Sequence, residues 1–251
     1  MEDSTGTFGS DKLHDMYLPA GQAPTDKGPC SAMNPAPFSC ESAQVCWYID
    51  GFNLYHAVHA LKRPVLKWLD LRSLATSYLQ TGQTLGHVRF FTALNTWDAV
   101  KRGRHVNYIK ALEARGVTVQ RANFDRVNKW CSTSAQYCRF NEEKQADVGI
   151  AVSALADAYD SNTSTLFFLT ADSDQVPTLK HLKSRFPSKK IMLVAPPGRL
   201  TQARNLGQHA HSVFQLTSGR LEQHLLPPSI HDSKGKTIAT RPSNYAPHAP
   251  A

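Results

Sequence analysis

The sequence lacks the long apolar run that a membrane-spanning helix requires. Although 41% of its 251 residues are hydrophobic, no apolar stretch approaches the roughly 20 residues that cross a bilayer. The N-terminal residues 1–6 are acidic and polar, and they contain no apolar segment of the kind found in secretory signals. We therefore expect a soluble, cytoplasmic protein with no membrane partner.

Cysteine is scarce, and its count of five is odd. In a chain without an export signal, this argues against a framework of disulfide bonds. Cys46 lies within an apolar stretch and is expected in the core. Cys131 and Cys138 flank a polar segment and could supply half of a zinc site, but their spacing is longer than zinc sites generally use. A zinc site there is the less favoured interpretation.

Acidic residues are outnumbered, with 20 Asp and Glu against 28 Lys and Arg and a net charge of +8. Such an excess favours a polyanionic partner such as nucleic acid. Basic residues cluster between residues 101 and 115 and again between residues 180 and 190. A solvated helix face is the alternative explanation for each cluster. We predict that the backbone of a bound nucleic acid contacts Lys101, Arg102, Arg104 and Lys180.

Strand-like and helix-like patterns alternate through the middle of the chain, and no internal repeat is visible. Apolar or β-branched runs predict strands at residues 45–49, 87–94, 117–121, 165–169, 190–194 and 212–216. Apolar residues at helical spacing predict helices at residues 71–80, 98–114, 142–159, 176–186 and 201–208. This alternation indicates βαβ units, and therefore an α/β fold with a mostly parallel central sheet of about five to six strands.

The two ends of the chain differ in composition from this middle region. Residues 1–43 carry Pro, Gly, Ser and charge without apolar periodicity, so they are predicted to be a disordered leader. The prolines after residue 227 predict an extended or disordered tail over residues 228–251. One domain, residues 44–227, remains between them. Within it, the polar segment at residues 123–141 is expected to lead into the helix at 142–159.

Two of the predicted buried strands end in acidic residues. The strand at 45–49 is followed by Asp50, and the strand at 165–169 leads to Asp172 and Asp174. Because open α/β sheets bind ligands at the carboxyl ends of their strands, these side chains are expected to share one crevice. Asp172 and Asp174 are two residues apart, so on an extended chain both point the same way. Asp174 could instead cap the next helix, but capping does not explain the pair.

A turn and a helix add two residues to this predicted site. The sequence Asp-Gly-x-Asn that begins at Asp50 is by itself a turn signal, but directly after a buried strand it can return Asn53 to the crevice. Asp147 stands where an otherwise apolar helix begins, and a bound cation would remove the cost of burying it. The helix dipole alone accounts for Glu142 and Glu143. Oxygen ligands of this kind indicate Mg²⁺ or Mn²⁺ rather than zinc.

Several segments also match an ordered series of motifs. They are YIDGFNLYHA (48–57), RFFTAL (89–94), EEKQADVGIAVSALADAYD (142–160), FLTADSDQVPTLKHLKSRFPSKKIMLVAPPGR (168–199) and LEQHLLP (221–227). With these motifs the chain resembles the NYN domain proteins, which are relatives of the PIN-domain nucleases, and especially their bacterial LabA-like branch. The resemblance covers about residues 45–227, and the order of the motifs makes it specific.

The resemblance implies a PIN-like, Rossmann-like three-layer fold and the activity of a metal-dependent ribonuclease. It places the acidic residues of the family on Asp50, Asp147, Asp172 and Asp174. It places the nearby asparagine of the family on Asn53. These are the residues that the strand ends and the helix indicate independently.

Two positions depart from the family pattern. Ser153 stands where the family often has aspartate, and His211 stands where it has a late acidic residue. Neither belongs to the predicted acidic set, so the departures bear on substrate choice or a secondary contact. Some relatives also carry a cysteine pair before the EEK sequence, which favours a structural role for Cys131 and Cys138.

The residues and the resemblance together predict an RNA endonuclease that requires Mg²⁺ or Mn²⁺. The predicted metal ligands and catalytic residues are Asp50, Asp147, Asp172 and Asp174. Asn53 is the further catalytic residue and would orient water or substrate. The main alternative is a non-catalytic RNA-binding or regulatory NYN module. An aspartyl-phosphate phosphatase is a third hypothesis, because Asp-x-Asp after an apolar strand also suits that chemistry. Both a monomer and a homodimer are left open.

Overall fold

The structure is a computed structural model, and it describes residues 43–246. The predicted leader at residues 1–43 lies outside the described residues, apart from its last residue. No helix within residues 43–246 is long and apolar enough to cross a membrane.

A seven-stranded sheet forms the centre of the described chain. Its strands are β1 (Ala43–Asp50), β2 (Gln83–Ala93), β3 (Thr118–Cys131), β4 (Gln136–Lys144), β5 (Thr163–Leu169), β6 (Lys190–Ala195) and β7 (Ser212–Gln215). They lie in the order β4-β3-β2-β1-β5-β6-β7, and all neighbours are parallel except β3 and β4. The predicted α/β class and mostly parallel sheet are confirmed, with seven strands in place of five to six.

Helices connect the strands and pack on both faces of the sheet. They are α1 (Gly51–Ala60), α2 (Leu71–Thr76), α3 (Ala99–Ala114), α4 (Ala146–Tyr159), α5 (Val176–Arg185), α6 (Arg204–Gly207) and α7 (Ser218–Glu222). Helices α1, α2 and α3 contribute to one half of the core, and α4, α5 and α6 contribute to the other. The fold therefore has three layers, as predicted.

The central strand β1 divides the core into these two halves. Val45, Trp47 and Ile49 face the half that contains α1, α2 and α3. Cys46 and Tyr48 alternate with them and face the half that contains α4 and α5. Both faces of β1 are therefore buried, which explains why its sequence is apolar up to the acidic residue at its end.

A buried ion pair attaches α4 to the sheet. Asp157, near the end of α4, accepts hydrogen bonds from the Tyr48 hydroxyl and the Arg89 guanidinium, each at 2.7 Å. Loss of one partner would leave a charge uncompensated in the interior. These contacts fix the position of α4, and with it the first turn of the helix, where Asp147 lies.

The region between α3 and α4 differs from the prediction. The sequence predicts a polar segment at 123–141, whereas β3 continues through it and β4 follows. The two strands pair antiparallel, from Asn123 with Lys144 to Cys131 with Gln136. The predicted helix at 142–159 begins only at Ala146, because residues 142–144 belong to β4. Most side chains of this ribbon are exposed, so its sequence has no apolar alternation to reveal the strands.

A second difference concerns the segment that follows β1. The sequence predicts a turn there, whereas α1 begins at Gly51 with no intervening loop. A Cβ atom at this position would lie 2.5 Å from the carbonyl oxygen of Phe91 and 2.6 Å from the ring of Phe90. Glycine therefore allows the start of α1 to lie directly against β2. As a result, Asp50 is both the end of the strand and the N-cap of the helix.

The C-terminal segment is a packed hairpin up to residue 240, so the prediction of an extended or disordered tail over 228–251 is wrong there. Its strands are β8 (Ser229–His231) and β9 (Thr237–Thr240). Ile230 and Ala239 form a small core cluster with Trp68. The indole Nε1 of Trp68 donates a hydrogen bond to the carbonyl of Pro227 at 2.9 Å. A hairpin this short buries too few apolar residues to produce a recognisable pattern.

Replacing Ile230 by Ala is expected to lower the free energy of unfolding by about 2 kcal/mol or more, because truncation of a buried isoleucine leaves a cavity. Urea denaturation of the full chain measures this change. Lys234→Ala, in the exposed turn of the same hairpin, is the control and should change stability little. Equal stability of the Ile230→Ala variant and the unmodified chain would show that the hairpin is not packed on the domain.

Candidate metal centre

Asp50 connects the central strand to the first helix. It is the last residue of β1 and is only 6% exposed. One carboxylate oxygen accepts a hydrogen bond from the backbone N–H of Asn53 at 2.9 Å and thereby caps α1. The other accepts from the hydroxyl of Thr170 at 2.9 Å. Groups from α1 and from the end of β5 therefore fix this side chain.

Further hydrogen bonds hold the residues after β5 at the same place. Thr170 Oγ1 accepts a hydrogen bond from the backbone N–H of Asp172 at 3.1 Å. Asn53 Oδ1 accepts from the backbone N–H of Ala171 at 3.2 Å. The start of α1 and the loop after β5 are thus tied together. Asn53 lies in the wall of the site and positions this loop.

The two aspartates of the Asp-Ser-Asp sequence have different surroundings. Asp172 is half-buried, and its side chain accepts a hydrogen bond from the backbone N–H of Asp174 at 3.0 Å. This bond caps a 3-10 turn at Ser173–Gln175. Asp174 lies within the turn and is exposed. The prediction that both side chains point the same way assumed an extended chain, and the turn removes that geometry.

Asp147 reaches the site from the first turn of α4. Its Oδ1 accepts a hydrogen bond from Nε2 of Gln175 at 3.1 Å, and the same amide nitrogen lies 3.1 Å from the Asp147 carbonyl. Gln175 is buried, and its Oε1 has no hydrogen-bond partner among the described residues. Gln175, which the sequence analysis did not single out, therefore positions Asp147 beside the loop after β5.

Three of the four predicted metal ligands meet at one point. One carboxylate oxygen from each of Asp50, Asp147 and Asp172 lies within 4.8 Å of the other two. We call these three residues the acidic cluster. Asp174 is not part of this group. The cluster lies at the carboxyl ends of β1 and β5, which are adjacent and parallel, as expected for a ligand site in an open α/β sheet.

Burial and repulsion raise the pKa values of two carboxyl groups of the acidic cluster, those of Asp50 and Asp147. Loss of hydration raises the pKa of Asp50 to about 6, and repulsion from Asp147 and Asp172 adds to the effect. Loss of hydration also raises the pKa of Asp147, and repulsion from neighbouring aspartates adds to it. A nearby positive charge would therefore stabilise the ionised forms of both groups.

A further carboxyl group, Glu143, faces the acidic cluster from β4. Its Oε1 is buried without a hydrogen-bond partner among residues 43–246. Loss of hydration raises the pKa of Glu143 to about 7, and repulsion from Asp50 and Asp147 adds to the effect. Glu143 was predicted to lie in the first turn of a helix and not in the site, whereas it belongs to β4. Only recognition of β4, in which Asn141 and Glu143 share a face, could have identified it.

The acidic cluster opens into a cavity of about 450 Å³, which we call the acidic cavity. Its walls come from α1, β4, the start of α4, the loop after β5 and the segment after β6. Arg199 supplies a positive charge in the wall. His56 also lines the cavity, and loss of hydration followed by repulsion from Arg199 lowers the pKa of His56. This shift favours the neutral form of His56.

The donor atoms of the acidic cluster fit a hard divalent cation. All three residues offer carboxylate oxygen, which Mg²⁺ and Mn²⁺ prefer as a ligand. The unpartnered Oε1 of Glu143 and the raised pKa of Asp50 both indicate negative groups without a counter-charge. The residues present therefore match a divalent ion of this class.

The predicted nucleic-acid contacts divide into two pairs. Lys101 and Arg104, on α3, line a second cleft that adjoins the acidic cavity. Arg102 and Lys180 are exposed and line neither depression.

Cys131 and Cys138 lie near the tip of the β3–β4 hairpin, in strands that pair Cys131 with Gln136 and Cys138 with Lys129. Both are free thiols. Neither belongs to a group of His, Cys, Asp or Glu that could hold a metal within the part of the chain that the structure describes. The geometry thus gives no support to a zinc site at this pair.

An α/β sheet with an acidic cluster at its carboxyl edge is compatible with the PIN-like nuclease class. Comparison with known families makes the assignment specific, because the profile of the family described as NYN domain matches residues 44–214. This chain belongs to the NYN domain family. A search of curated proteins finds no match.

A solved structure shares the fold. It is the crystal structure of a protein of unknown function from Vibrio parahaemolyticus, which is 15% identical to this chain with a TM-score of 0.50. The alignment covers 74% of this chain and 98% of that one. At this level of identity, the similarity concerns the fold alone.

Replacing Asp50 by Asn should stabilise the protein at pH 7 when no divalent ion is added. The pKa of Asp50 is about 6 in the folded protein against an ordinary 3.8, so the folded state binds the proton more tightly than the unfolded chain does. Ionisation of Asp50 therefore lowers the free energy of unfolding as the pH rises from about 4 to 6. An uncharged Asn avoids this loss, which amounts to up to about 3 kcal/mol at pH 7.

Urea denaturation in EDTA at pH 7 and pH 4 measures this effect, and the gain from Asp50→Asn should shrink strongly at pH 4. Asp125→Asn is the matched control, because Asp125 is exposed on the hairpin. A variant that is destabilised equally at both pH values would contradict the expected repulsion.

Proposed function

We propose that this NYN domain is a Mg²⁺- or Mn²⁺-dependent RNA endonuclease. The observation that carries the proposal is the meeting of Asp50, Asp147 and Asp172 at the carboxyl edge of the sheet. NYN domains generally act on nucleic acids, and the net charge of +8 suits a polyanionic substrate. A negative site within a basic protein suits metal-assisted hydrolysis, because the metal offsets the charges of both the carboxylates and the phosphate.

In this proposal the acidic cluster holds the metal, with one carboxylate oxygen from each of its three residues. When bound, Mg²⁺ or Mn²⁺ would activate a water molecule and stabilise the negative charge that develops on the scissile phosphate. We assign Asp174 a weaker role through its charge, since it is exposed in the following turn. Asn53 would orient the substrate or water from the wall of the acidic cavity.

Two further residues of the acidic cavity are assigned to proton transfer and phosphate binding. Glu143 is proposed to accept a proton at Oε1, which has no other partner, and its pKa of about 7 matches that task near neutral pH. Arg199 is proposed to bind a phosphate oxygen, since a guanidinium group forms strong, directional hydrogen bonds with phosphate. Both residues belong to the cavity wall rather than to the acidic cluster.

A non-catalytic RNA-binding module is the alternative that the site favours less. A protein that only binds RNA gains nothing from holding three carboxylates together, and the raised pKa values of Asp50 and Asp147 indicate that their ionised forms are unfavourable without a cation. Strongly shifted pKa values in a cavity are typical of catalytic sites. The motifs at residues 142–160 and 168–199 support our proposal that the chain belongs to the LabA-like branch.

Replacing Asp172 by Asn is expected to lower the rate of RNA cleavage by about a hundredfold or more, because a ligand charge is lost while the cap of the 3-10 turn is kept. The Asp174→Asn substitution should lower the cleavage rate much less, since Asp174 lies outside the acidic cluster. Cleavage of a labelled single-stranded RNA with added Mg²⁺ or Mn²⁺ measures both. Asp160→Asn, beyond the far end of α4, is the control, and undiminished cleavage by the Asp172→Asn variant would contradict the mechanism.

Replacing Glu143 by Gln is expected to lower kcat by about a hundredfold and to remove the acidic limb from the pH–rate profile. In the unmodified protein the rate should rise with pH along this limb, because Glu143 must be ionised to accept a proton. Glu142→Gln is the matched control, since Glu142 forms ion pairs with Lys129 and Lys144. An acidic limb that persists in the Glu143→Gln variant would remove Glu143 from the mechanism.

A further inference from the structure

A second depression adjoins the acidic cavity, and we call it the aromatic cleft. It has a volume of about 580 Å³ and lies between α1, the first half of α3 and the β3–β4 hairpin. Phe52, His56 and Asn141 line both depressions, so one ligand can occupy both at once. The residues of the acidic cluster do not line the aromatic cleft.

Large aromatic side chains stand half-exposed in the walls of the aromatic cleft. Phe52 and Tyr55 are each 43% exposed, and Trp97 is 48% exposed. Single exposed aromatic residues are ordinary on a protein surface, but several around one concave site mark a groove that binds a ligand. The aromatic cleft therefore offers exposed ring surface to a partner, although the ring of Tyr55 already stacks on His59 with centroids 5.8 Å apart.

The loop that carries Trp97 holds the indole ring in its exposed position. Asn95 Oδ1 accepts hydrogen bonds from the backbone N–H groups of Trp97 at 3.0 Å and Asp98 at 2.9 Å. Asp98 in turn caps α3 by accepting from the backbone N–H of Lys101 at 2.9 Å. The ring of Trp97 packs edge-on against Phe124, with centroids 5.0 Å apart. A ring that is already fixed can stack on a ligand with little further loss of entropy.

The charged residues that line the aromatic cleft, among those the structure describes, are all positive. They are Lys67, Lys101 and Arg104. The Nε atom of Arg104 is buried and has no hydrogen-bond partner within residues 43–246. The positive charge attracts an anion, while the rings favour a flat aromatic group. The ligand that satisfies both is a nucleotide.

We propose that the aromatic cleft binds a nucleobase of single-stranded RNA beside the phosphate that enters the acidic cavity. A nucleotide carries an aromatic base and a phosphate on one molecule, so it can place the base in the aromatic cleft and the phosphate in the adjoining acidic cavity. Stacking on aromatic side chains binds bases of any sequence, but it needs their faces to be free. The bases of a duplex cover one another, so the cleft selects an unpaired strand. The inference rests on the proposed ribonuclease function and specifies its substrate class.

A binding measurement without cleavage tests this inference. The Asp172→Asn variant in EDTA serves as the background, and fluorescence anisotropy measures its affinity for a labelled RNA of mixed sequence, both single-stranded and as a duplex. Adding Trp97→Ala is expected to weaken single-strand binding about tenfold, and Tyr55→Ala by a similar factor, because each removes a stacking surface. Duplex binding depends mainly on phosphate contacts and should change by less than about twofold.

Tyr159→Ala is the matched control, because Tyr159 is 69% exposed at the far end of α4 and lines neither depression. Thermal unfolding verifies that each variant is folded. Unchanged single-strand affinity in both cleft variants, or an equal loss in the Tyr159→Ala variant, would overturn the inference. If the cleft variants lose single-strand binding but the unmodified chain does not cleave RNA, the cleft assignment stands and the proposed nuclease activity fails.

Discussion

Repulsion among carboxylates at one edge of the sheet is the constraint on which this site depends. Strands β1 and β5 are parallel neighbours, so Asp50 and Asp172 come from adjacent carboxyl ends, and α4 brings Asp147 to the same point. Hydrogen bonds from the Asn53 backbone and the Thr170 hydroxyl stabilise the ionised form of Asp50, yet burial, together with repulsion from Asp147 and Asp172, still raises its pKa to about 6. A bound divalent cation would offset the repulsion that these hydrogen bonds leave.

The sequence predicts those features of the structure that depend on residues close together in the chain. An uninterrupted apolar run that ends in acid identifies a buried parallel strand, and this pattern alone led to Asp50 and Asp172. Features that depend on distant contacts gave no such signal. Glu143 lies in β4, which is largely exposed and has no apolar alternation that would predict a strand. The residue was therefore predicted in the first turn of a helix, where the helix dipole explains an acidic side chain. Asp174 was expected beside Asp172 because a 3-10 turn cannot be distinguished from an extended segment over so few residues.

In the function that we propose, the two depressions divide the recognition of one polyanion between them. The acidic cavity gathers negative charge that only a cation can offset, and the aromatic cleft next to it carries positive charge and exposed rings. Phe52, His56 and Asn141 line both depressions, so an RNA strand stacked in the cleft, as we propose, would continue directly into the cavity. Local charge of opposite sign in adjacent sites thus accounts for an acidic centre within a protein of net charge +8.

The central claim is that the acidic cluster holds a divalent ion, and titration with Mn²⁺ tests it most directly. The electron paramagnetic resonance signal of free Mn²⁺ measures how much of the ion the protein takes up. The account predicts saturable uptake by the unmodified chain, competition by Mg²⁺, and an affinity at least about tenfold lower in the Asp147→Asn variant. Asp125→Asn should bind as the unmodified chain does. Equal uptake by the unmodified chain and the Asp147→Asn variant would contradict the account.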